Sequence, residues 1–428
     1  MNRTIKQLES NQASTAWQTK TLGEACEVFA DGDWIEKKDQ ATSGIRLIQT
    51  GNIGNGYFLD RGEKARYISE GTFKRLRCTE VLPGDCLLSR LPDPVGRAGL
   101  IPDTGQKMIT AVDCTIMRFK KDTLPKWFIY YSLSPDYQNE INKEVTGATR
   151  QRISRSNLGN IKLPIPPLPE QKRIVKILDD VFEKTAKAKE NAEKNLQNTR
   201  ELFESYLQGV FADSGDGWEE KKLGDNNILE IIDGDRGVNY PEKSDFLDRG
   251  YCLFLNTKNV RPDGFNFDTA MFISKEKDNA LRKGKLQRND VILTTRGTIG
   301  NLAVYDSNVS YENIRINSGM LVFRPKVEKL LPSFLFEVFR SGIMKNQISR
   351  HVSGAAQPQL PIKTLVNFTI PVPNSIDEQK KIVDRLREIS AETKKLEAIY
   401  QQKLANLEEL RKSILQKAFN GELVEANV

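Results

Sequence analysis

The chain repeats itself once, over almost its whole length. Trp17-Gln18-Thr19-Lys20-Thr21-Leu22-Gly23 returns as Trp218-Glu219-Glu220-Lys221-Lys222-Leu223-Gly224, and Thr50-Gly51-Asn52-Ile53 as Thr257-Lys258-Asn259-Val260. Gly84-Asp85-Cys86-Leu87-Leu88 matches Asn289-Asp290-Val291-Ile292-Leu293, and Leu163-Pro164-Ile165-Pro166 matches Ile370-Pro371-Val372-Pro373. Glu170-Gln171-Lys172-Arg173-Ile174-Val175 then recurs as Glu378-Gln379-Lys380-Lys381-Ile382-Val383. The copies lie 201 residues apart at Trp17 and Trp218 and 208 apart at Glu170 and Glu378, always in the same order. Solenoid repeats are far shorter, roughly 20–50 residues. What is duplicated is therefore a domain followed by a helix. The ends of the copies match closely and the middles diverge, the pattern of one frame carrying two different binding surfaces.

Each copy changes character at its prolines. Before them, short strand-like runs such as Arg46 to Gln49 and Cys114 to Phe119 alternate with Gly- and Asp-rich turns, which predicts a small α+β domain. After Pro169 no proline occurs until Pro241, and apolar or small residues recur at Ile174, Leu178, Val181, Thr185, Ala188, Ala192, Asn195, Thr199, Leu202 and Tyr206. The second copy gives Ile382, Leu386, Ile389, Thr393, Leu396, Tyr400, Lys403, Leu407, Leu410 and Ile414. Steps of four and three make a heptad seam. A helix of that length spans about 64 Å and needs a partner. The simplest pairing is antiparallel, with a pseudo-two-fold axis and with Thr185 opposite Lys403 and Asn195 opposite Thr393.

The expected fold class is thus α+β, two globular domains of small strands and helices joined by two long antiparallel coiled-coil helices. The expected boundaries are an N-terminal arm at 1–16, domains at 17–169 and 214–376, helices at 170–213 and 377–421, and a tail at 422–428.

Composition removes several function classes. The chain has a single histidine, His351, so a Ser-His or Cys-His nucleophile or an imidazole metal site is not expected. Its five cysteines, Cys26, Cys78, Cys86, Cys114 and Cys252, show no CxxC pair and read as buried thiols of a reducing cytoplasm. No apolar run suggests a membrane span or signal peptide. No Walker A sequence occurs, and the one Pro-Pro, Pro166-Pro167, lacks the preceding Asn/Asp and following aromatic that grip a flipped adenine. No catalytic residue, metal or cofactor is expected. The net charge of +7 permits a polyanion partner if the excess is clustered.

The tandem layout resembles the specificity subunits of type I restriction-modification systems. The residues that carry the likeness are Leu163 to Ile174, their second copy Pro371 to Pro373 with Glu378 to Val383, and the helix endings Leu202 to Phe211 and Leu410 to Phe419. Asp85 and Asp290, each followed by an apolar run and an Arg/Gly loop, fit the same family. The resemblance implies that each domain reads part of a split, asymmetric site in double-stranded DNA. It implies that the helices set the unread spacer and dock two methyltransferase subunits, to which restriction/translocase subunits are added. The complex would methylate adenine with S-adenosylmethionine while this chain performs no bond chemistry. A non-catalytic coiled-coil scaffold with two protein-binding domains is the alternative.

Base reading needs bidentate donors and amides. The candidates are Arg90, Arg97, Arg150, Arg152 and Arg155 in the first copy. In the second copy they are Lys258, Arg296, Arg315, Arg350 and Gln357. Phe203, Val210, Phe211 and Phe419, late in the helices, are candidate partner contacts, with helix-pair core as their other reading.

Overall fold

A computed structural model of the chain describes residues 17–212, 215, 217–262, 264–352 and 358–423. It divides into two compact units: residues 1–193 with 402–428, and residues 194–401. The expected arm at 1–16 lies outside the described residues, as do 424–428 of the expected tail.

The first unit opens with β1 (Gln18–Thr21), α1 (Leu22–Ala25), β2 (Cys26–Asp31), β3 (Gln40–Ala41), β4 (Ile45–Ile48), β5 (Arg66–Ile68) and α2 (Glu70–Leu76). It continues through β6 (Cys86–Ser89), β7 (Ala98–Leu100), β8 (Met108–Thr110), β9 (Cys114–Phe119), α3 (Pro125–Ser132), α4 (Pro135–Glu144), α5 (Arg155–Asn160) and β10 (Lys162–Ile165). A four-stranded antiparallel sheet has the order β2-β9-β6-β7, and a second has the order β3-β5-β4-β8 with β4 and β8 parallel. The first sheet is buried on both faces, so its strands read as apolar runs rather than alternations. Side chains alternate across a strand. Cys86, Leu88, Met117 and Phe119 accordingly face a helical core around Trp127, Phe128 and Tyr137, while Leu87, Cys114 and Ile116 face Ile48, Ile53 and Met108. Strand β1 pairs antiparallel with β10, Gln18 opposite Ile165, and so ties the start of the domain to the chain that leads into the long helix.

That helix is α6 (Leu168–Ala212), which contributes its first half to this unit. The second unit repeats the plan. It holds β11 (Trp218–Lys222), β12 (Leu229–Asp233), β13 (Cys252–Leu255), β14 (Val260–Arg261), β15 (Gly264–Phe265) and β16 (Phe272–Ile273). Then come α7 (Lys275–Ala280), β17 (Val291–Thr294), β18 (Leu302–Val304), β19 (Ile314–Ile316), β20 (Met320–Pro325), α8 (Pro332–Arg340) and α9 (Gly342–His351). It closes with α10 (Ile362–Leu365), β21 (Thr369–Pro373) and the first half of α11 (Ile376–Phe419). The sheet β12-β20-β17-β18 matches β2-β9-β6-β7, and β11 pairs with β21 as β1 does with β10. Val291, Leu293, Leu321 and Phe323 face one core, and Ile292, Met320 and Val322 the other.

Each unit is completed by the end of a helix that begins in the other copy of the repeat. In the first unit Phe419 of α11 sits 4.7 Å from Trp127 and 5.1 Å from Tyr131, ring centre to centre, and Trp17 lies 5.6 Å from Trp127. In the second unit Phe211 of α6 lies 5.6 Å from Phe334 and 6.4 Å from Trp218. The same aromatic trio is built twice.

Within each unit the two helix segments run antiparallel, as expected, but in a different register. In the first unit Lys189 pairs with Glu408 at 3.0 Å, the Arg411 guanidinium lies 4.4 Å over the Phe182 ring, and Arg173 donates to the Leu423 carbonyl at 2.8 Å. In the second unit Arg200 pairs with Glu397 at 3.3 Å. The pairing of Thr185 with Lys403 is therefore displaced by roughly two helical turns. The heptad seam also loses phase. Ile174, Leu178, Thr185, Ala192 and Thr199 are buried, but Leu202 and Tyr206 are exposed and their neighbours Phe203 and Leu207 are buried instead. In α11 Leu396 and Leu410 are exposed, and Leu415 is buried beside a half-buried Ile414. A straight α-helix drifts by about 20° per heptad against a seven-residue repeat. Over about five heptads the drift reaches the roughly 100° that separates neighbouring residues, and the buried face moves on by one. Asn195 is exposed although its seam neighbours Ala192 and Thr199 are buried.

Candidate nucleic-acid interface

Burial separates the candidate cations into two groups. Arg90, Arg97 and Arg315 are buried within the units, where the chain takes all their donors except the buried Nε of Arg90, which has no partner among the described residues. Arg97 donates from Nε to the Ile53 carbonyl at 2.8 Å, from Nη2 to Thr50 at 2.9 Å, and from Nη1 to Leu91 and Pro94 at 2.7 and 3.1 Å. Burial lowers its pKa from the ordinary guanidinium value. Arg90 donates to Val112 at 2.7 Å and Ile153 at 3.4 Å and faces Asp31 at 3.4 Å. Arg315 holds the buried Asp278 at 2.8 Å and the Lys283 carbonyl at 2.5 Å. These three pin loops together and are too buried to meet a ligand at the surface. Asn301, which succeeds Arg97 in the repeat, donates to the Val260 carbonyl at 2.9 Å and performs the same stitch with a shorter side chain.

The exposed group is Arg150, Arg152, Arg155, Lys258, Arg296 and Arg350. Arg150 bridges Asp113 at 3.2 Å. Arg152 pairs through its backbone with Thr146, leaving its side chain in solvent. Arg155 opens α5 next to the capping Ser154. Lys258 sits in the short turn after β13, its backbone amide held by Asn256 Oδ1 at 2.8 Å. Arg350 is in the last turn of α9. Gln357 lies outside the described residues.

Arg296 stands on a stiff turn between β17 and β18. Thr295 N and Oγ1 both donate to the Gly319 carbonyl, at 2.8 and 3.2 Å, and Leu360 N donates to the Thr295 carbonyl at 2.9 Å. Thr294 Oγ1 ties the turn internally to Thr298 and Asn301. Gly297 and Gly300 have φ of 72° and 94°, a conformation open to glycine at little cost. Arg296 lines two hollows of about 270 and 490 Å³. Around them stand Arg236, Lys363, Gln359, Asn317 and Asp233, the last already paired with Arg236 at 3.2 Å. Arg236, Lys363, Gln359 and Asn317 were missed in the sequence. The signal for Arg236 was present as a Gly-flanked turn, Gly234-Asp235-Arg236-Gly237, at the end of a strand.

The remaining repeat signatures are structural. Asp85 is buried and takes two hydrogen bonds from Arg118, both 2.8 Å, and one from Leu82 N at 2.8 Å. Asp290 does the same with Arg324, at 2.9 and 2.8 Å, and with Gln287 N at 2.7 Å. Asn52 and Asn259 are buried turn-holders that bond the Leu59 carbonyl and the Asn266 and Thr269 carbonyls.

The candidate partner contacts are mostly core. Phe203, Phe211 and Phe419 are buried and Val210 is partly buried against the same cluster as Phe211, because the late helix turns close the units. The apolar residues the helices leave in solvent are Leu202, Tyr206, Leu396 and Ile399 in the second unit and Leu410 in the first. Among the described residues no group of three metal-ligating side chains converges, and no helix is long and apolar enough to cross a membrane.

The family model described as type I restriction modification DNA specificity domain matches residues 15–197 and again 215–408. The EcoBI specificity subunit of a type I restriction enzyme from Escherichia coli is 27% identical over 71% of this chain and 67% of that protein. The MjaVIII specificity subunit from Methanocaldococcus jannaschii is 26% identical over 76% of each. The solved HsdS subunit from Thermoanaerobacter tengcongensis superposes with a TM-score of 0.63 at 21% identity, covering 96% of this chain and 98% of that one. A chain from a structure of type I R-M complex assembly and conformational transition reaches 0.77 at 20% identity, covering 96% and 99%.

Proposed function

This chain belongs to the type I restriction modification DNA specificity family, and from that premise we propose that each unit reads one half of a split, asymmetric DNA site. The observation that carries the reading is the repeated frame with unlike surfaces. The Asp–Arg pairs, the Asn turn-holders and the aromatic trio occur in both units, whereas the exposed basic residues differ: Arg150, Arg152 and Arg155 in one, Lys258, Arg296 and Arg350 in the other. Phosphate contacts by such residues give affinity and salt dependence, and base-edge contacts give sequence choice. The chain supplies the choice and no bond chemistry.

The helices are proposed to set the unread spacer and to dock two methyltransferase subunits, to which restriction/translocase subunits add. Leu202, Tyr206, Leu396 and Ile399 support this, being large apolar side chains that a helix pair alone leaves in solvent. The cytoplasm is the proposed compartment.

The experiment is methylome sequencing of cells expressing this chain with a type I methyltransferase subunit that forms a complex with it, against cells lacking the chain. A new split, asymmetric N6-methyladenine motif is expected. Deleting one heptad from both helices should then change its spacer. A soluble complex that writes no new motif would overturn the proposal.

A further inference from the structure

The repeat aligns two positions whose neighbouring backbone bonds match and whose chemistry differs. In the second unit Arg296 and Gln359 face each other across an antiparallel bridge. Residues so placed carry their side chains side by side, with Cβ atoms about 5 Å apart. The setting is fixed by the bonds from Thr295 N to the Gly319 carbonyl, 2.8 Å, and from Leu360 N to the Thr295 carbonyl, 2.9 Å. In the first unit Arg90 N donates to the Asp113 carbonyl at 2.9 Å and Ile153 N to the Arg90 carbonyl at 3.2 Å. Arg90 thus takes the place of Thr295, and Ile153 that of Leu360. The residues next along the chain, the half-buried Leu91 and the exposed Arg152, take the places of Arg296 and Gln359, although the backbone of Arg152 is bridged to Thr146.

We infer that this pair of positions is a base-reading element of each unit, filled by Arg296 and Gln359 in the second and by Leu91 and Arg152 in the first. The inference rests on the reading that both units contact DNA. Arg296 is exposed, borders both hollows, and no ion pair or hydrogen bond holds its guanidinium among the described residues. Gln359 is likewise exposed, and no hydrogen bond holds its amide among the described residues. Arg236 and Lys363 share the hollow with Arg296, against the single carboxylate of Asp233. The surroundings therefore favour a polyanion, while the pair itself offers the two side chains suited to bidentate bonds with guanine and with adenine. Leu91 and Arg152 offer an apolar contact and a fork instead. A difference in base preference between the half-sites is what this substitution of chemistry produces. A rigid base makes the reading selective, because the turn carrying Arg296 is bonded on both flanks and cannot follow a misplaced base.

The test is selection from duplexes of random sequence by the full chain in complex with its methyltransferase subunits, followed by sequencing. The wild-type complex should enrich a split motif. Arg296→Lys keeps the charge but loses the planar fork, and should retain overall affinity while base preference at one position of one half falls roughly tenfold. Gln359→Ala should relax an adjoining position of the same half, and Arg152→Ala should affect only the other half. A wild-type motif that Arg296→Lys and Gln359→Ala leave unchanged overturns the inference alone. So does a uniform loss of affinity in Arg296→Ala with base preferences intact, which would make Arg296 a phosphate contact. No enrichment by the wild-type complex overturns the DNA-reading function, and this inference with it.

Discussion

Gln171 and Gln379 make the same three hydrogen bonds in the two units. Gln171 Oε1 accepts from Leu124 N at 2.8 Å, and its Nε2 donates to the Asp122 and Pro166 carbonyls, both at 2.8 Å. Gln379 Oε1 accepts from Leu331 N at 2.8 Å, and its Nε2 donates to Lys329 at 2.9 Å and Pro373 at 3.2 Å. Both side chains are fully buried. Each locks the first turn of a long helix to the loop that precedes α3 or α8. This is why the Glu-Gln pair after the prolines recurs almost unchanged: an amide is the one side chain that both accepts and donates twice in that geometry.

Gln171→Ala strips three backbone groups of their partner in a dry site, and unsatisfied buried groups cost about 1–3 kcal/mol each before relaxation. A loss of about 2–4 kcal/mol in chemical denaturation is expected, with amide exchange accelerated around Leu124 and the start of α6. Gln379→Ala should do the same around Leu331. A change below about 0.5 kcal/mol in both would refute the lock.

The exchanged helix ends give a second prediction. Phe419 lies near the end of the chain yet packs in a core built mainly from residues before 182. Phe419→Ala should cost about 3–5 kcal/mol, the range for emptying a buried aromatic site. Its exchange signature should appear at Trp127 and Tyr131. Phe211→Ala should act on Phe334 and Trp218 in the second unit. If Phe419→Ala loosened only α11 itself, the end of that helix would not be part of the core.

The repeat, the α+β class and the antiparallel helices were all legible in the sequence, because each depends on chain-local pattern: a duplicated order, short strands between turns, apolar steps of three and four. Register was not legible. It depends on where Phe419 and Phe211 seat against aromatic residues in their units, and those contacts slid the pairing by two turns from the one that matched Thr185 with Lys403. The arginines show the same limit. Arg97 and Arg152 look alike in sequence, each in a Gly- or Ser-rich loop. Only the fold shows that one is enclosed by four carbonyls and the other faces water.

That contrast is testable. Arg97→Ala leaves several carbonyls without donors and a buried gap, and should lower the thermal midpoint of the first unit by several degrees, for a loss of about 2 kcal/mol or more. Arg152→Ala and Arg296→Ala should leave stability within about 0.5 kcal/mol. A stable Arg97→Ala protein with weakened DNA binding would reverse the assignment of Arg97 to the frame.

The cysteines should be silent in the native protein. All five are buried and unpaired. Burial pushes the thiols of Cys26 and Cys252 up to about 12 and those of Cys78 and Cys114 to about 11, and that of Cys86 well above its ordinary value. Thiolate is the reactive form. At pH 8 an alkylating reagent should label none of them on the timescale on which it labels all five in denaturant, read by intact mass. Prompt native labelling of Cys86 or Cys114 would contradict the packing of the central sheet.

Glu337 on α8 supplies a pH dependence confined to the second unit. Its carboxyl is buried, and burial raises its pKa above the ordinary glutamate value; Arg340, at 2.9 Å, and Arg387 offset this in part. The folded state thus binds its proton more tightly than the unfolded chain does. Between the ordinary and the raised pKa the native state holds more protons, so stability falls as pH rises through that window. The first unit carries Tyr130 at the corresponding position, donating to Asp179 at 2.5 Å, and that carboxyl is partly exposed rather than buried. Glu337→Gln removes the titration while keeping the shape. The variant should therefore lose less stability than wild type on going from pH 5 to pH 7, with the difference appearing in exchange at α8 and not at α3. Parallel pH curves for wild type and variant would show that Glu337 ionises in the fold as freely as in water.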